Sequence, residues 1–99
     1  MGEAKKPFRF VGAARDDLRH GVFWYEGARE GLGARFAADV QKAVELILRA
    51  PETWPIRRGT HRYVLRRFPY TIAYRVVADQ VVILAVAHQR LDPGAWDGR

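Results

Sequence analysis

Val81-Val82-Ile83-Leu84-Ala85-Val86-Ala87-His88 is apolar at every position but the last. The run is far too short to span a bilayer, which takes about 20 residues. With no polar position to turn toward water, it reads as a central β-strand covered on both faces. The rest of the chain can be read by asking what covers it.

Just upstream, Tyr70, Ile72, Tyr74 and Val76 alternate with Thr71, Ala73 and Arg75, a second strand with one apolar face. Ala78-Asp79-Gln80 supplies the turn between the two. Pro69 separates this strand from a third, Thr60 to Phe68, in which Tyr63 and Leu65 point one way and Arg62, Val64 and Arg66 the other. Residues 51–59 form a loop punctuated by Pro51, Pro55 and Gly59, with Trp54 as the plug that fixes it to the core.

The cover for one sheet face comes from the first half. Leu32, Phe36, Val40, Val44 and Ile47 fall on one helical stripe, widened by Ala43 and Leu48 and stopped by Pro51. Ala14, Leu18, Val22 and Tyr25 make an earlier stripe that ends near Arg29, ahead of Gly31 and Gly33. Gly21 is a flaw inside that helix, costing about 1 kcal/mol relative to Ala. The short connection predicts an antiparallel helical hairpin. Pro7 to Val11 alternates as a short strand, and residues 1–6 read as a flexible charged tail. The predicted fold is α+β, in the order β-α-α-β-β-β. The helical hairpin packs on one face of a mainly antiparallel sheet.

Composition sets limits on function. At 99 residues the chain fits a single domain. It has no cysteine, which excludes disulfides and thiolate metal sites, and no serine, which excludes serine nucleophiles. His20, His61 and His88 lack metal-ligand spacing, so no metal is expected. Gly31-Leu32-Gly33 lacks the longer phosphate-loop fingerprint, and no cofactor is expected. Nothing in the sequence looks like a targeting or membrane segment, consistent with a cytoplasmic protein.

The net charge is +6, from 17 Lys+Arg against 11 Asp+Glu. Residues 1–50 carry nine basic and seven acidic side chains and residues 51–99 eight and four, so the second half holds +4 of the excess. Arg57, Arg58, Arg62, Arg66, Arg67 and Arg75 follow one another without an intervening acid. Strand parity places Arg62, Arg66 and Arg75 together on the sheet face that the helices leave uncovered, a basic surface suited to carboxylate or phosphate. His88, at the end of the apolar strand, is either a general acid or base or a histidine satisfied by the backbone. His61 has the opposite parity to Arg62 and points away from the arginine face.

Several pieces in order resemble the RelE/ParE-type toxins of bacterial type II toxin–antitoxin modules, over residues 8–99. They are Ala14-Arg-Asp-Asp-Leu18, Phe23-Trp-Tyr-Glu26, Gly31-Leu-Gly33 with Arg35-Phe36, and Pro51 with Trp54-Pro55. Arg66-Arg-Phe-Pro-Tyr70, Tyr74-Arg75-Val76 and Val82 to His88, with Arg90, Asp92-Pro93 and Trp96, continue the series. The resemblance implies a toxin silenced by a cognate acidic antitoxin, whose flexible segment covers the basic face. It leaves two targets. A RelE-like member cuts mRNA on the ribosome, with Arg62 and Arg66 holding the phosphate and His88 moving a proton. A ParE-like member traps DNA gyrase by binding, through surfaces carrying Arg62, Arg66, Arg75, Arg90 and Trp96. Residues 51–67 contain no lysine and the C-terminal tail no tyrosine, both departures from the nuclease pattern, and the ending resembles the ParE-like branch more. A third reading is an inactive module that only binds antitoxin.

Overall fold

A computed structural model describes residues 7–91 and 93–99; the expected tail at residues 1–6 lies outside this range. The order is β1 (Phe8–Phe10), α1 (Gly12–Ala28), α2 (Leu32–Arg49), β2 (Ile56–Arg57), β3 (Thr60–Val64), β4 (Tyr70–Val77), β5 (Gln80–His88) and a 3-10 turn, Pro93–Trp96. The strands form one sheet in the order β1-β5-β4-β3-β2, with β1 parallel to β5 and the other pairs antiparallel. The α+β prediction holds. No helix among the described residues is long and apolar enough to cross a membrane.

β5 is an interior strand between β1 and β4, buried from Val81 to Ala87, and its two sheet faces are filled differently. Ala73 pairs with Ala85 but Tyr74 pairs with Ile83, so Leu84 is skipped as a β-bulge. Strict alternation would put Val81, Ile83, Ala85 and Ala87 on one face. The bulge sends Val81, Ile83 and Val86 to the helices and turns Ala85 and Ala87 to the opposite side, beside Ala73 and Trp96. The hairpin joining β4 to β5 is closed by Ala78-Asp79 alone, both with positive φ (51° and 63°), the geometry of a tight two-residue loop.

Phe36, Val40, Ala43, Val44, Ile47 and Leu48 of α2 form the buried stripe against Ile72, Tyr74 and Ile83. Gly21 turns out to be a requirement of packing rather than a flaw. A Cβ there would lie 2.5 Å from Cε2 of Phe36, so only glycine lets α1 approach the Phe36 ring. The Gly31 turn has φ 85°, and the start of α2 is capped from α1. The Glu26 carboxylate accepts the N–H of Gly31 at 3.0 Å and of Gly33 at 3.0 Å, placing a negative charge at the helix N-terminus.

The 51–59 segment is held as predicted, with Trp54 packed on the core and against Tyr63, ring centroids 5.0 Å apart. The buried Tyr74 hydroxyl donates to the Pro51 carbonyl at 2.6 Å. His61, stacked on Tyr74, donates from Nδ1 to the Trp54 carbonyl at 2.7 Å.

Three expectations are corrected. Ile56–Arg57 is a short edge strand inside the predicted loop. The third strand ends at Val64, not Phe68, because Leu65 donates its N–H to the Tyr70 carbonyl and the chain bends through residues 66–69 toward Pro69. The second sheet face is not bare: Trp96, 4% exposed, lies over Ala73, Ala85 and Ala87.

Candidate functional site

The open sheet face holds a cleft of about 310 Å3, lined by Arg57, Arg62, Val64, Thr71, His88, Gln89 and Trp96 among others. It is built by the β2–β3 hairpin. Arg57 pairs with Thr60 across a two-residue loop, Arg58-Gly59, in which both residues have positive φ (53° and 83°). That turn brings Arg57 back beside Arg62.

The Arg62 guanidinium is fixed from three sides. Its Nε donates to Thr60 Oγ1 at 3.3 Å, an Nη donates to the Arg57 carbonyl at 3.1 Å, and the group sits 5.0 Å from the Trp96 ring centroid. Thr60 Oγ1 itself donates to the Arg57 carbonyl at 3.2 Å. Partial burial, and then the nearby Arg57 and Arg58 cations, lower the Arg62 pKa, with Asp97 opposing. A guanidinium stays charged through such a shift. The cleft therefore presents a permanent, pre-oriented cation with an aromatic wall, a geometry for holding an anion.

His88 reaches this cleft from the end of β5 and also borders a second hollow with His20, Phe23, Trp24, Tyr70 and Leu91. Its Nδ1 accepts the backbone N–H of Arg90 at 3.1 Å. The hydrogen-bond network thus assigns the proton of the neutral ring to Nε2. The lone pair a base would use is engaged with the backbone. Tyr70, edge-on to His88 at 5.3 Å, has its phenol pKa raised by burial, then by Tyr25 and Asp17, so it is no proton acceptor near neutrality.

The predicted arginine face is divided. Arg62 occupies the cleft as expected. Arg75 is exposed on the same side of β4, with Ala73 between it and Thr71 along the strand. Arg66 does not join them. The early end of β3 removes it from strand parity, and it lies instead with Arg67 in a groove that α2 borders through Asp39, Lys42 and Leu46. Arg90 is exposed in the turn after β5. Trp96 is mostly buried and shows the cleft only part of its surface.

Sequence reading missed Arg57 and Thr60 as supports of Arg62. The Arg58-Gly59 dipeptide was the signal, since a glycine-containing pair can close a two-residue hairpin. It also missed a latch at the C-terminal segment. Arg99 Nη donates to Asp17 Oδ2 at 2.7 Å and to the Leu84 carbonyl at 3.1 Å, while Asp17 accepts the Val86 N–H at 3.1 Å. This latch joins α1 and the bulged part of β5 to the segment that carries Trp96.

Comparison with known proteins agrees with this geometry. Residues 8–93 match the family described as the ParE toxin of the type II toxin–antitoxin system parDE. Among solved structures, a chain of the chromosomal ParDE toxin–antitoxin system from P. aeruginosa superposes with a TM-score of 0.75 at 16% identity. That match covers 85% of this chain and 96% of the other. A chain of the RelBE2 toxin–antitoxin complex from Mycobacterium tuberculosis superposes with a TM-score of 0.59 at 30% identity, covering 86% and 99%. No curated protein sequence matches the chain. With the family match spanning most of its length, and the sheet, helical hairpin and basic cleft as described, the chain belongs to the ParE toxin family of type II toxin–antitoxin systems, within the RelE/ParE superfamily.

Proposed function

We propose that this toxin acts in the cytoplasm by binding DNA gyrase, as a ParE-like inhibitor, and that a cognate acidic antitoxin covers its basic surfaces until release. The observation that carries binding over catalysis is the state of His88. Its Nδ1 lone pair is engaged by the Arg90 N–H at 3.1 Å, so in the neutral ring the other nitrogen, Nε2, carries the proton and offers no free lone pair. Attack of a ribose 2′-hydroxyl on the adjacent phosphate needs a proton acceptor. The other polar residues named in the cleft, Arg57, Arg62, Thr71 and Gln89, are donors or neutral groups with no basic site. Arg62, Arg75 and Arg90 are the target-facing cations of this reading, and Trp96 serves chiefly to hold Arg62.

Purified protein is expected to raise gyrase-linked DNA breaks in a cleavage assay, and the His88→Ala protein to keep most of that activity. Arg62→Ala should lose most of it while remaining folded. Complete loss of activity in a folded His88→Ala protein would overturn the proposal.

A ribosome-dependent mRNA endonuclease is the second reading, favoured by one observation: Arg57, Arg62 and His88 border a single cleft of about 310 Å3. It requires Arg62 to hold the phosphate and His88 to exchange its backbone partner for substrate. Mapping 5′ ends after incubation with translating ribosomes checks it. No new ends at a dose that stops growth rules it out.

A further inference from the structure

Trp96, the aromatic wall of the Arg62 cleft, is held from outside the cleft. β1 pairs with β5 only from Val81 to Ile83, so beyond Ile83 no strand accompanies β5 on that side. Two backbone groups of the following stretch are met by side chains instead. Arg99 Nη donates to the Leu84 carbonyl at 3.1 Å, and Asp17 Oδ2 accepts the Val86 N–H at 3.1 Å. The two side chains close on each other at 2.7 Å. They are only 22% and 20% exposed, so water and salt screen the pair little, and each partner is already aligned by the backbone.

Arg99 passes this anchorage to Trp96. Its own N–H donates to the Trp96 carbonyl at 3.2 Å, which fixes the short stretch between them. The indole needs such a tether. Ala73, Ala85 and Ala87 give it area to cover but no large side chain to lock it in place. The segment has one further ion pair, Arg58 with Asp97 at 3.7 Å, but those side chains are 63% and 59% exposed, where a pair contributes little. The Arg62 guanidinium, 5.0 Å from the Trp96 ring centroid, takes part of its orientation from that ring. Contacts therefore run from Asp17 on α1 through Arg99 and Trp96 to Arg62.

We propose that Asp17 and Arg99 are positioning residues of the Arg62 cleft, their pair keeping Trp96, and through it the Arg62 guanidinium, in the orientation that meets the target. Neither residue lines the cleft itself. That the cleft meets a target rests on the proposed function; the placement of Arg62 is read without one.

The test compares the full chain with its Asp17→Asn, Arg99→Gln, Arg99→Lys and Asp97→Asn variants. Fluorotryptophan and isotope-labelled arginine report Trp96 and the Arg62 Nε–H by NMR, the two signals being assigned by their loss in Trp96→Phe and Arg62→Lys. Asp17→Asn and Arg99→Gln are expected to move the Trp96 signal toward that of a solvated indole and the Arg62 signal toward that of an exposed arginine. Arg99→Lys keeps a cation that can donate to both Asp17 and Leu84, and it should restore most of both shifts. Asp97→Asn should leave both signals in place. In the gyrase cleavage assay the first two variants should lose at least about fivefold in potency, and Arg99→Lys and Asp97→Asn less than about twofold. Thermal melts confirm folding. Arg99→Gln removes no buried apolar group, so it carries the test if Asp17→Asn does not fold. Unmoved Trp96 and Arg62 signals in Arg99→Gln, or no rescue by Arg99→Lys, overturn the proposal. So do displaced signals with undiminished potency. If the unaltered chain raises no gyrase-linked breaks, the gyrase reading fails, and the two signals still decide whether the pair positions Arg62.

Discussion

The two faces of the central sheet solve the same problem with side chains of opposite size. Toward the helices, β4 and β5 present Ile72, Tyr74, Ile83 and Val86, and two long helices are needed to cover them. Toward the other side they present Ala73, Ala85 and Ala87, and one indole from a four-residue turn suffices. The difference has a functional consequence. Large residues on both faces would demand a second layer of helices, and no cleft would remain. Small residues leave room for the Arg62 guanidinium beside Trp96 at 5.0 Å. One face is devoted to stability, and the other is kept thin enough to display charge.

This contrast can be broken by mutation. Phe36 is fully buried on the helix side, with the rings of Tyr25, Phe68 and Tyr70 within 5.2 Å. Phe36→Ala should cost about 3–5 kcal/mol, read as a fall in urea midpoint. Trp96→Ala should cost less, about 2–3 kcal/mol, because its bed is three alanines and a cation. It should also weaken target binding by releasing Arg62. Equal losses in the two variants would mean that the faces contribute alike.

Tyr74 gives a pH-dependent test of the helix side. Its phenol is pushed up to about 12, first by burial and then by the charge of Glu52. The folded state therefore retains a proton that the unfolded chain releases near its ordinary value of about 10. Stability is fully present below about pH 10 and falls as pH rises toward 12, by an amount on the order of 2–3 kcal/mol. Tyr74→Phe should flatten that alkaline slope. At neutral pH it should cost about 1–2 kcal/mol, because the Pro51 carbonyl loses its donor. An unchanged slope in the variant would remove Tyr74 as its source.

The smallest contrast lies within α1. Gly21→Ala should destabilise by about 1–3 kcal/mol through collision with Phe36, whereas Gly12→Ala, with nothing within 4 Å of the added carbon, should be neutral or mildly stabilising. A stabilised Gly21→Ala protein would show that Phe36 can repack freely.

The helical stripes, the strand alternation of β4 and the central burial of β5 were all legible in the chain, because each is a local repeat that hydrophobic burial enforces. Arg66 shows where such reading stops. Alternation extrapolated from Tyr63 and Leu65 carried it onto the open face, but the ladder ends at Val64 and sets it beside α2. His88 shows the same limit in chemistry. Its place at the strand end was readable, but the engagement of its Nδ1 by the Arg90 N–H depends on how the following turn folds back.

Local pattern alone determined the two helices, their buried faces, the strands β4 and β5, and the concentration of positive charge in the second half. Tertiary structure decided how that charge is divided. The β-bulge at Leu84 and the tight Arg58-Gly59 turn set Arg62 against Trp96 with Arg57 in the same cleft, and the bend after Val64 sends Arg66 and Arg67 to α2. The physical reason is that periodicity is a property of neighbours along the chain. Bulges, strand ends and closures are set by contacts between segments far apart in sequence, and no local pattern records them.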